Sequence, residues 1–268
     1  MHDLATRPPY LLLALAGSAS PASAALVDCG SATSAGPGVK CIARHESGGK
    51  SGEELLGAVE QWVGTWGVPE VLALDVGPGS FTGLRVGLGL AQGLALAWNR
   101  LVLPLSSAQI MASRIQLEEP QTHVITFRDA RMGAVYLGDH PPGSLGCHGF
   151  GDVIEADPQE ALARLHARVR CGVAACCVVD EALEALLERL RVEAFGGPQG
   201  GAIQTERRGL PRLTTARPEA VQLARLACAR LASGHVGIAP AALTPFYVRN
   251  DVAMDLAAQR AYRQARAG

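Results

Sequence analysis

The sequence predicts an α/β protein, because short apolar runs alternate along it with longer segments of helical periodicity. The clearest unit is an apolar run at 71–76, a glycine-rich turn at 77–80 and a nearly uncharged segment at 86–98. That order is typical of a strand, a tight turn and a helix. The 268 residues are enough for two modest domains with a sizeable core.

Two strands are predicted near the N-terminus, at 10–15 and 24–29. The same region also resembles a secretory signal, with Arg7, an apolar stretch and small residues up to about residue 25. Because Asp3 cancels the charge of Arg7 and the apolar stretch is short, the strand pair is favoured over a cleaved leader. No run approaches the ~20 apolar residues that a membrane-spanning helix needs.

A first helix is predicted from Ser51, which has the capping-box spacing to Glu54. Its apolar residues recur on one helical face, namely Leu55, Val59, Trp62, Val63 and Trp66. A strand at 71–76 follows this helix.

The turn after that strand is Gly77-Pro78-Gly79-Ser80. Ser80 or Thr82 can cap the next helix, whose free N–H groups could bind an anion. The dinucleotide fingerprint needs glycine where Thr82 stands, and the P-loop needs a lysine that this turn lacks. Two interpretations stay open: a direct ligand role, and glycines that let the helix pack closely on its neighbours.

The helix predicted at 80–98 carries glycines at intervals of four. Gly79, Gly83 and Gly87 share one face, and Gly89 and Gly93 share another. Because the helix is apolar nearly all round, we expect it to be buried on more than one side, either as a central core helix or under a second protein.

The rest of the chain continues the α/β pattern. Strands are predicted at 101–105, 122–127, 134–137 and 171–179, and helices at 157–169, 181–190 and 215–233. The second and third of these strands form a hairpin around a turn at 129–133. Segments 138–152 and 195–213 are predicted to be mostly irregular, and the tail at 257–268 is expected to fray.

The seven cysteines form no CxxC pair, so we expect reduced thiols that pack as small apolar residues. Zinc at Cys147 and His148 is the weaker alternative, because no second ligand pair stands at suitable spacing. No metal site and no catalytic residue are therefore assigned, since the serine-hydrolase elbow and the HExxH motif are also absent. Asp129 and Arg131 are the best polar candidates, although an aspartate in a tight turn commonly caps backbone N–H groups.

The net charge of −1 argues against a protein that holds nucleic acid by itself, because such proteins normally show a basic field.

Three segments resemble one family, in the right order. GPGSFTGLRVGLGLAQGLALA at 77–97 resembles the signature of the TsaB (YeaZ) family. DARMGAVY at 129–136 resembles that family's hairpin, and PFYVRNDVA at 245–253 resembles its C-terminal motif.

The resemblance implies the two-lobed actin/Hsp70-like ATPase (ASKHA) superfold, with a mixed sheet and helices in each lobe. The lobes would be an N-terminal α/β lobe at 1–106 and a C-terminal α/β lobe at 107–268, whose terminal segment packs back on the first. The implied function is a cytoplasmic, non-catalytic partner of TsaD, the transferase that forms N6-threonylcarbamoyladenosine at position 37 of tRNA.

The resemblance also implies the partners and the site. The implied partner is a TsaD homologue, or a second copy of this chain where TsaD is absent. A TsaE-type ATPase would join through the complex. The chain would contact tRNA only indirectly, and no membrane would be involved. No cofactor is expected on the chain alone, and ATP or ADP with magnesium would belong to the complex with TsaD.

Ten residues of the glycine-rich helix form the expected partner interface, with partner helices lying over Gly83 and Gly87: Ser80, Phe81, Thr82, Gly83, Leu84, Arg85, Gly87, Leu88, Leu90 and Ala91. Four others are expected to contact a ligand or to lie between the lobes: Gly77, Gly79, Asp129 and Arg131.

The sequence departs from the family after the first strand, where the family carries an Asp-Thr-Ser-like turn. Residues 15–20 are Leu-Ala-Gly-Ser-Ala-Ser, which contain no carboxylate to hold a metal ion. One alternative is an independent ATPase or phosphotransferase of the same fold, with Ser18, Ser20, Ser80 and Thr82 around a phosphate. Another is an exported, peptidase-like protein that loses its first 25 or so residues.

Overall fold

The computed structural model describes residues 9–30, 38–49, 51–146, 149–150, 152–170, 175–184 and 212–248. These residues form two five-stranded sheets flanked by helices. The predicted segments at 185–190, 195–211 and 257–268 and the pair Cys147 and His148 lie outside the described residues.

The first sheet has the strand order β3-β2-β1-β4-β5. Its first three strands are antiparallel, and β1, β4 and β5 are parallel. The strands are β1 (Tyr10–Ala16), β2 (Ser23–Cys29), β3 (Val39–Glu46), β4 (Val71–Asp75) and β5 (Val102–Leu105). The predicted N-terminal strand pair is therefore confirmed, and β1 lies at the centre of the sheet, so removal of the first 25 residues would delete the central strand.

The second sheet repeats this topology, with the order β8-β7-β6-β9-β10. Its strands are β6 (His123–Arg131), β7 (Ala134–His140), β8 (Asp152–Ala156), β9 (Ala175–Val179) and β10 (Arg212–Thr215). Again the first three strands are antiparallel and the last two are parallel to β6. The hairpin of β6 and β7 confirms the prediction for this segment. The boundary of the lobes at residue 106 stays a prediction.

In the described part of the chain, five α-helices flank the sheets. They are α1 (Ser51–Trp66), α2 (Phe81–Trp98), α3 (Ser107–Gln116), α4 (Pro158–Arg170) and α5 (Ala220–Ala232). Helices α1 and α2 pack on one face of the first sheet and α5 packs on the other, so β1 and β4 are buried on both sides and are almost continuously apolar. Helix α3 contacts β6 and α5, and the side-chain amide of Gln222 donates to Ser113 Oγ at 2.8 Å. The two sheets are thus joined through α3 and α5.

Several helix boundaries agree with the sequence. Helix α4 begins as predicted, because Asp157 Oδ1 accepts hydrogen bonds from the N–H groups of Gln159 and Glu160, both at 2.9 Å. Helix α1 begins at Ser51, whose side chain lies outside what the structure describes, so the capping box stays a prediction. The helix predicted at 215–233 is wrong at its start: Thr215 ends β10 and the helix begins at Ala220, since Pro218 disfavours helical geometry at the residue before it.

The expectation of free thiols is wrong for one pair of cysteines. Cys29 at the end of β2 and Cys228 on α5 form a disulfide, although they are 199 residues apart. The packing of α5 on β2 brings the two together, and no local spacing could have shown it. Cys41 and Cys176 are free thiols.

Within the described residues, no helix combines the length and the apolar character that crossing a membrane requires. The same residues hold no cluster of three or more potential metal ligands.

A buried histidine in the second sheet gives the first testable prediction. His140 on β7 is buried, and its Nε2 lies 3.3 Å from Thr126 Oγ1 on β6. Burial lowers the pKa of His140 to about 4, whereas the same group titrates near 6.5 in an unfolded chain. Between these values the unfolded chain binds a proton that the folded chain does not, so stability falls as the pH falls below 6.5.

We expect this one residue to remove about 2 kcal/mol of folding free energy between pH 7.5 and pH 5. Urea unfolding of the wild type and of His140→Gln at both pH values measures it, because the variant should lack that part of the pH dependence. Equal pH dependence in the wild type and His140→Gln would contradict the prediction.

Candidate functional site

Helix α2 begins at the glycine-rich turn. Gly77 has a φ of +102°, which side-chain-bearing residues rarely adopt, and Ser80 is the N-cap, its Oγ accepting a hydrogen bond from Gly83 N at 3.3 Å. The helix ends at Asn99, which is left-handed with a φ of +53°. The predicted strand, turn and capped helix are confirmed.

The inner face of α2 packs on the loop after β1. A Cβ atom on Gly83 would lie 2.0 Å from the carbonyl oxygen of Gly17. A Cβ atom on Gly87 would lie 4.0 Å from the Cα atom of Gly17. The inner face of α2 is therefore covered at Gly83 by this chain's own backbone. A methyl group on Gly83 has no room, whereas one on Gly87 would make only ordinary van der Waals contacts, and the expected partner interface over these two glycines stays a prediction.

The outer face of α2 is exposed and partly apolar. We define it as Phe81, Thr82, Arg85, Gly89, Gly93 and Leu96, all of which are exposed. A Cβ atom on Gly89 or Gly93 would meet nothing within 4 Å, so these two positions leave a shallow channel along the helix. Phe81 is 43% exposed and Leu96 is 69% exposed, which is unusual for large apolar side chains on the same helix.

The aromatic end of this face is ordered by local contacts. The guanidinium of Arg85 lies 3.8 Å from the centre of the Phe81 ring, within the range of a cation–π contact. The ring of Tyr247, itself exposed, is 6.2 Å from that of Phe81. Next to it, Phe246 N–H donates to Val76 O at 2.8 Å and anchors the segment beside α2.

The ten residues expected at a partner interface divide by exposure. The exposed residues are Ser80, Phe81, Thr82 and Arg85, the partly exposed ones are Gly83, Leu88 and Leu90, and the buried ones are Leu84, Gly87 and Ala91. The ten residues do not include Gly89, Gly93, Leu96 and Tyr247, which are exposed on or beside this face. The second run of glycines at intervals of four was the signal that could have found the first two.

A buried polar cluster lies where the two sheets meet, below the start of α2. Asp75, at the end of β4, is 1% exposed. Its Oδ1 accepts from Gly77 N at 3.0 Å and from Ser107 Oγ at 2.6 Å, and its Oδ2 accepts from Ser18 N at 3.2 Å and from Ser18 Oγ. The carboxylate is therefore fully hydrogen bonded, as a buried charge must be.

Arg128 reaches this cluster from β6 of the second sheet. Its Nη1 donates to Ser18 Oγ at 2.7 Å and to Pro78 O at 2.5 Å, and its Nη2 donates to Ser18 O. Its Nε lies 3.6 Å from Asp180 Oδ2. Burial lowers the pKa of Arg128 and the carboxylates of Asp75 and Asp180 act against this, so the guanidinium stays charged.

Gly79 makes room for this arginine. A Cβ atom on Gly79 would lie 2.7 Å from Arg128 Nη1 and 2.5 Å from Ser18 O. Gly77 and Gly79 thus lie at the junction of the two sheets. Asp129 and Arg131 are engaged in the β6–β7 turn, where Asp129 Oδ1 accepts from Arg131 N at 2.7 Å and the Arg131 side chain is 85% exposed. Sequence reasoning named Ser18 only for the ATPase alternative and missed Asp75, Ser107 and Arg128, which lie on β4, α3 and β6.

The cluster does not fit the phosphate of a nucleotide. Ser18 is buried and hydrogen bonded to Asp75 and Arg128, and Ser80 N–H, which an anion would use, donates to Ser18 O at 2.8 Å. Ser20 and Thr82 are exposed. The four hydroxyl groups of the ATPase alternative therefore do not converge on one site, and nothing found here supports that alternative.

Comparisons with known proteins agree with this geometry. The profile of the TsaD family, described as tRNA N6-adenosine threonylcarbamoyltransferase, matches residues 65–149. Two curated relatives are each named tRNA threonylcarbamoyladenosine biosynthesis protein TsaB. The one from Escherichia coli K12 is 44% identical over 69 residues, 26% of this chain and 30% of that protein. The one from Haemophilus influenzae is 44% identical over 68 residues, which are 25% of this chain and 29% of that protein. These alignments span under a third of the relatives' length.

Two solved structures extend the similarity to most of the chain. A Pseudomonas aeruginosa protein described as similar to the peptidase YeaZ has a TM-score of 0.62 at 25% identity, covering 90% of this chain and all of that one. YeaZ from the same organism has a TM-score of 0.58 at 26% identity, and the match covers 89% of this chain and 99% of that one. The predicted two-lobed actin/Hsp70-like fold is confirmed.

Proposed function

We propose, because this chain belongs to the TsaB (YeaZ) family, that it is a non-catalytic partner of a TsaD-type transferase. In this role it supports formation of N6-threonylcarbamoyladenosine at position 37 of tRNA in the cytoplasm. The observation that carries the proposal is the outer face of α2, an exposed and partly apolar helix face with an open channel at Gly89 and Gly93.

The chemistry of this face suits a protein helix as its occupant. Phe81, Arg85 and Tyr247 are of the aromatic and arginine types that dominate interface energies, and the contacts among them order the side chains before binding. The absence of side chains at Gly89 and Gly93 lets a second backbone approach. Since the TsaD family profile covers α2 itself, we expect the partner to present an equivalent helix, packed on this one about a local two-fold axis.

A second copy of the chain would bind this face when TsaD is absent, because it presents the same helix. ATP or ADP with magnesium would belong to the complex, since Arg128 fills the junction of the two sheets in this chain. A TsaE-type ATPase would join through that complex. With a net charge of −1, the chain would contact tRNA only indirectly.

The proposal is tested by mixing the chain with the TsaD homologue of the same organism and measuring mass by size exclusion with light scattering, with and without ATP. We expect a stable heterocomplex, and its addition to a reconstituted reaction should restore tRNA modification. Absence of a complex in both conditions, or a complex that leaves modification unchanged, would overturn the proposed function.

Gly89→Arg should abolish this association while leaving the chain folded. The arginine side chain would fill the channel and bury an unpaired charge under the partner helix, so we expect a loss of affinity of about 100-fold or more. Isothermal titration with the TsaD homologue measures the loss. Gly57→Arg is the matched control, because Gly57 is also an exposed helical glycine with nothing within 4 Å but lies on α1.

If both arginine variants bind within twofold of the wild type, the outer face of α2 is not the interface. If both lose affinity equally, the surface charge is responsible and the assignment of the face is equally wrong.

A further inference from the structure

Arg128 donates hydrogen bonds to Pro78 O, in the turn that starts α2, and to Ser18 O, in the loop packed against that turn. We propose that Arg128 is a positioning residue, which holds the first turn of α2 from the second lobe and so sets the orientation of the partner-binding face. Only the partner-affinity part of this proposal rests on the proposed function.

The hydrogen bonds lead directly from the guanidinium to the helix start. Arg128 Nη1 donates to Pro78 O inside the turn, and Nη2 donates to Ser18 O. Ser18 O also accepts from Ser80 N at 2.8 Å, and Ser80 is the N-cap of α2. A shift of the guanidinium therefore removes one contact from the turn itself and loosens a second that holds the cap.

Packing also links the position of Arg128 to that of the first turn of α2. The carbonyl oxygen of Gly17 lies against Gly83, at a separation that leaves no room for a methyl group. The loop at 17–18 is therefore in contact with α2 and in hydrogen-bond contact with Arg128 at the same time. Displacement of this loop would move the first turn of the helix.

The repeated topology explains why one residue is suited to this role. Asp75 ends β4 of the first sheet, and Asp180 follows β9, the equivalent strand of the second sheet. Arg128 lies within the field of both carboxylates and is hydrogen bonded to the first lobe. Only arginine, with a planar fork of five donors, can reach this set of acceptors, whereas lysine is a compact point charge.

Arg128→Lys tests the proposal, since it keeps the charge and removes the fork. The readout is hydrogen exchange at three amides in the free chain: Ser80, Gly83 and Leu84, which are hydrogen bonded to Ser18 O, Ser80 Oγ and Ser80 O. We expect exchange at these amides to be faster by about tenfold or more while amides within α1 keep their wild-type rates. Affinity for the TsaD homologue should fall by about tenfold in a sample shown to be folded by circular dichroism.

Two controls separate positioning from general destabilisation. Ser113→Ala removes a buried hydrogen bond from Gln222, away from the turn, so it should lower stability without selective exchange at the three amides. Arg164→Gln, at an exposed position on α4, should match the wild type in both readouts. If Arg128→Lys does not fold, Ser18→Ala, which removes one acceptor of Arg128, is measured in the same way.

Unchanged exchange at the three amides would overturn the proposal, as would faster exchange with undiminished affinity. If the wild type itself fails to bind TsaD, the proposed function falls, and the exchange rates in the free chain still decide whether Arg128 positions α2.

Discussion

Gly83→Ala is expected to cost at least about 3 kcal/mol of folding free energy, a large part of the 5–15 kcal/mol typical of a natural domain. The added methyl group would lie 2.0 Å from the Gly17 carbonyl oxygen, so either α2 or the loop after β1 must move. The loop is held by hydrogen bonds from Arg128, and the helix is packed on the first sheet through Leu84, Ala91 and Ala95, so neither moves easily.

Gly89→Ala is the matched control for this prediction. It makes the same substitution on the same helix, at an exposed position where the methyl group meets nothing within 4 Å. Because alanine has a higher helix propensity than glycine, the control should gain about 0.5–1 kcal/mol. Urea unfolding followed by circular dichroism measures both. Similar stability of the two variants would show that the internal packing of α2 is not as described.

Asp75→Ala should be similarly damaging, with a loss of about 3–5 kcal/mol. The substitution leaves Arg128 buried near only one carboxylate, that of Asp180 at 3.6 Å, and leaves donors on Ser18, Gly77 and Ser107 without their acceptor. The measurement is urea unfolding at neutral pH. Asp152→Ala, at an exposed position on the edge strand β8, is the control and should change stability by less than about 0.5 kcal/mol.

The double variant Asp75→Asn with Arg128→Met sharpens this test. Removing both charges together avoids the cost of one buried unpaired ion, so the double variant should be more stable than Asp75→Ala. A loss of under 1 kcal/mol for Asp75→Ala would show that the carboxylate is not the counterion of Arg128.

Local patterns in the sequence were sufficient for the elements around α2. The apolar run before Gly77, the capping residue Ser80 and the apolar periodicity of α1 each act within a few residues, so they could be recognised without knowing the fold. Three short motifs, at 77–97, 129–136 and 245–253, were sufficient for the family resemblance and hence for the two-lobed fold.

Elements whose burial depends on distant partners were missed. Helix α3 contains as many polar as apolar residues, yet it is buried almost throughout because β6 and α5 enclose it. The edge strands β3 and β8 lack strong apolar alternation, since each has only one neighbouring strand and is largely exposed or half-buried.

The sequence by itself determined that α2 is a capped, glycine-rich helix with two sets of small residues, and that the chain resembles the TsaB family. It could not determine which set faces inward, because Gly83 and Gly89 have the same local chemistry. The tertiary structure decided this by placing the Gly17 carbonyl against Gly83. It likewise brought together Ser18 and Arg128, which are 110 residues apart, and Cys29 and Cys228, which are 199 apart. Contacts of this kind depend on how sheets and helices pack, and no local interaction encodes them.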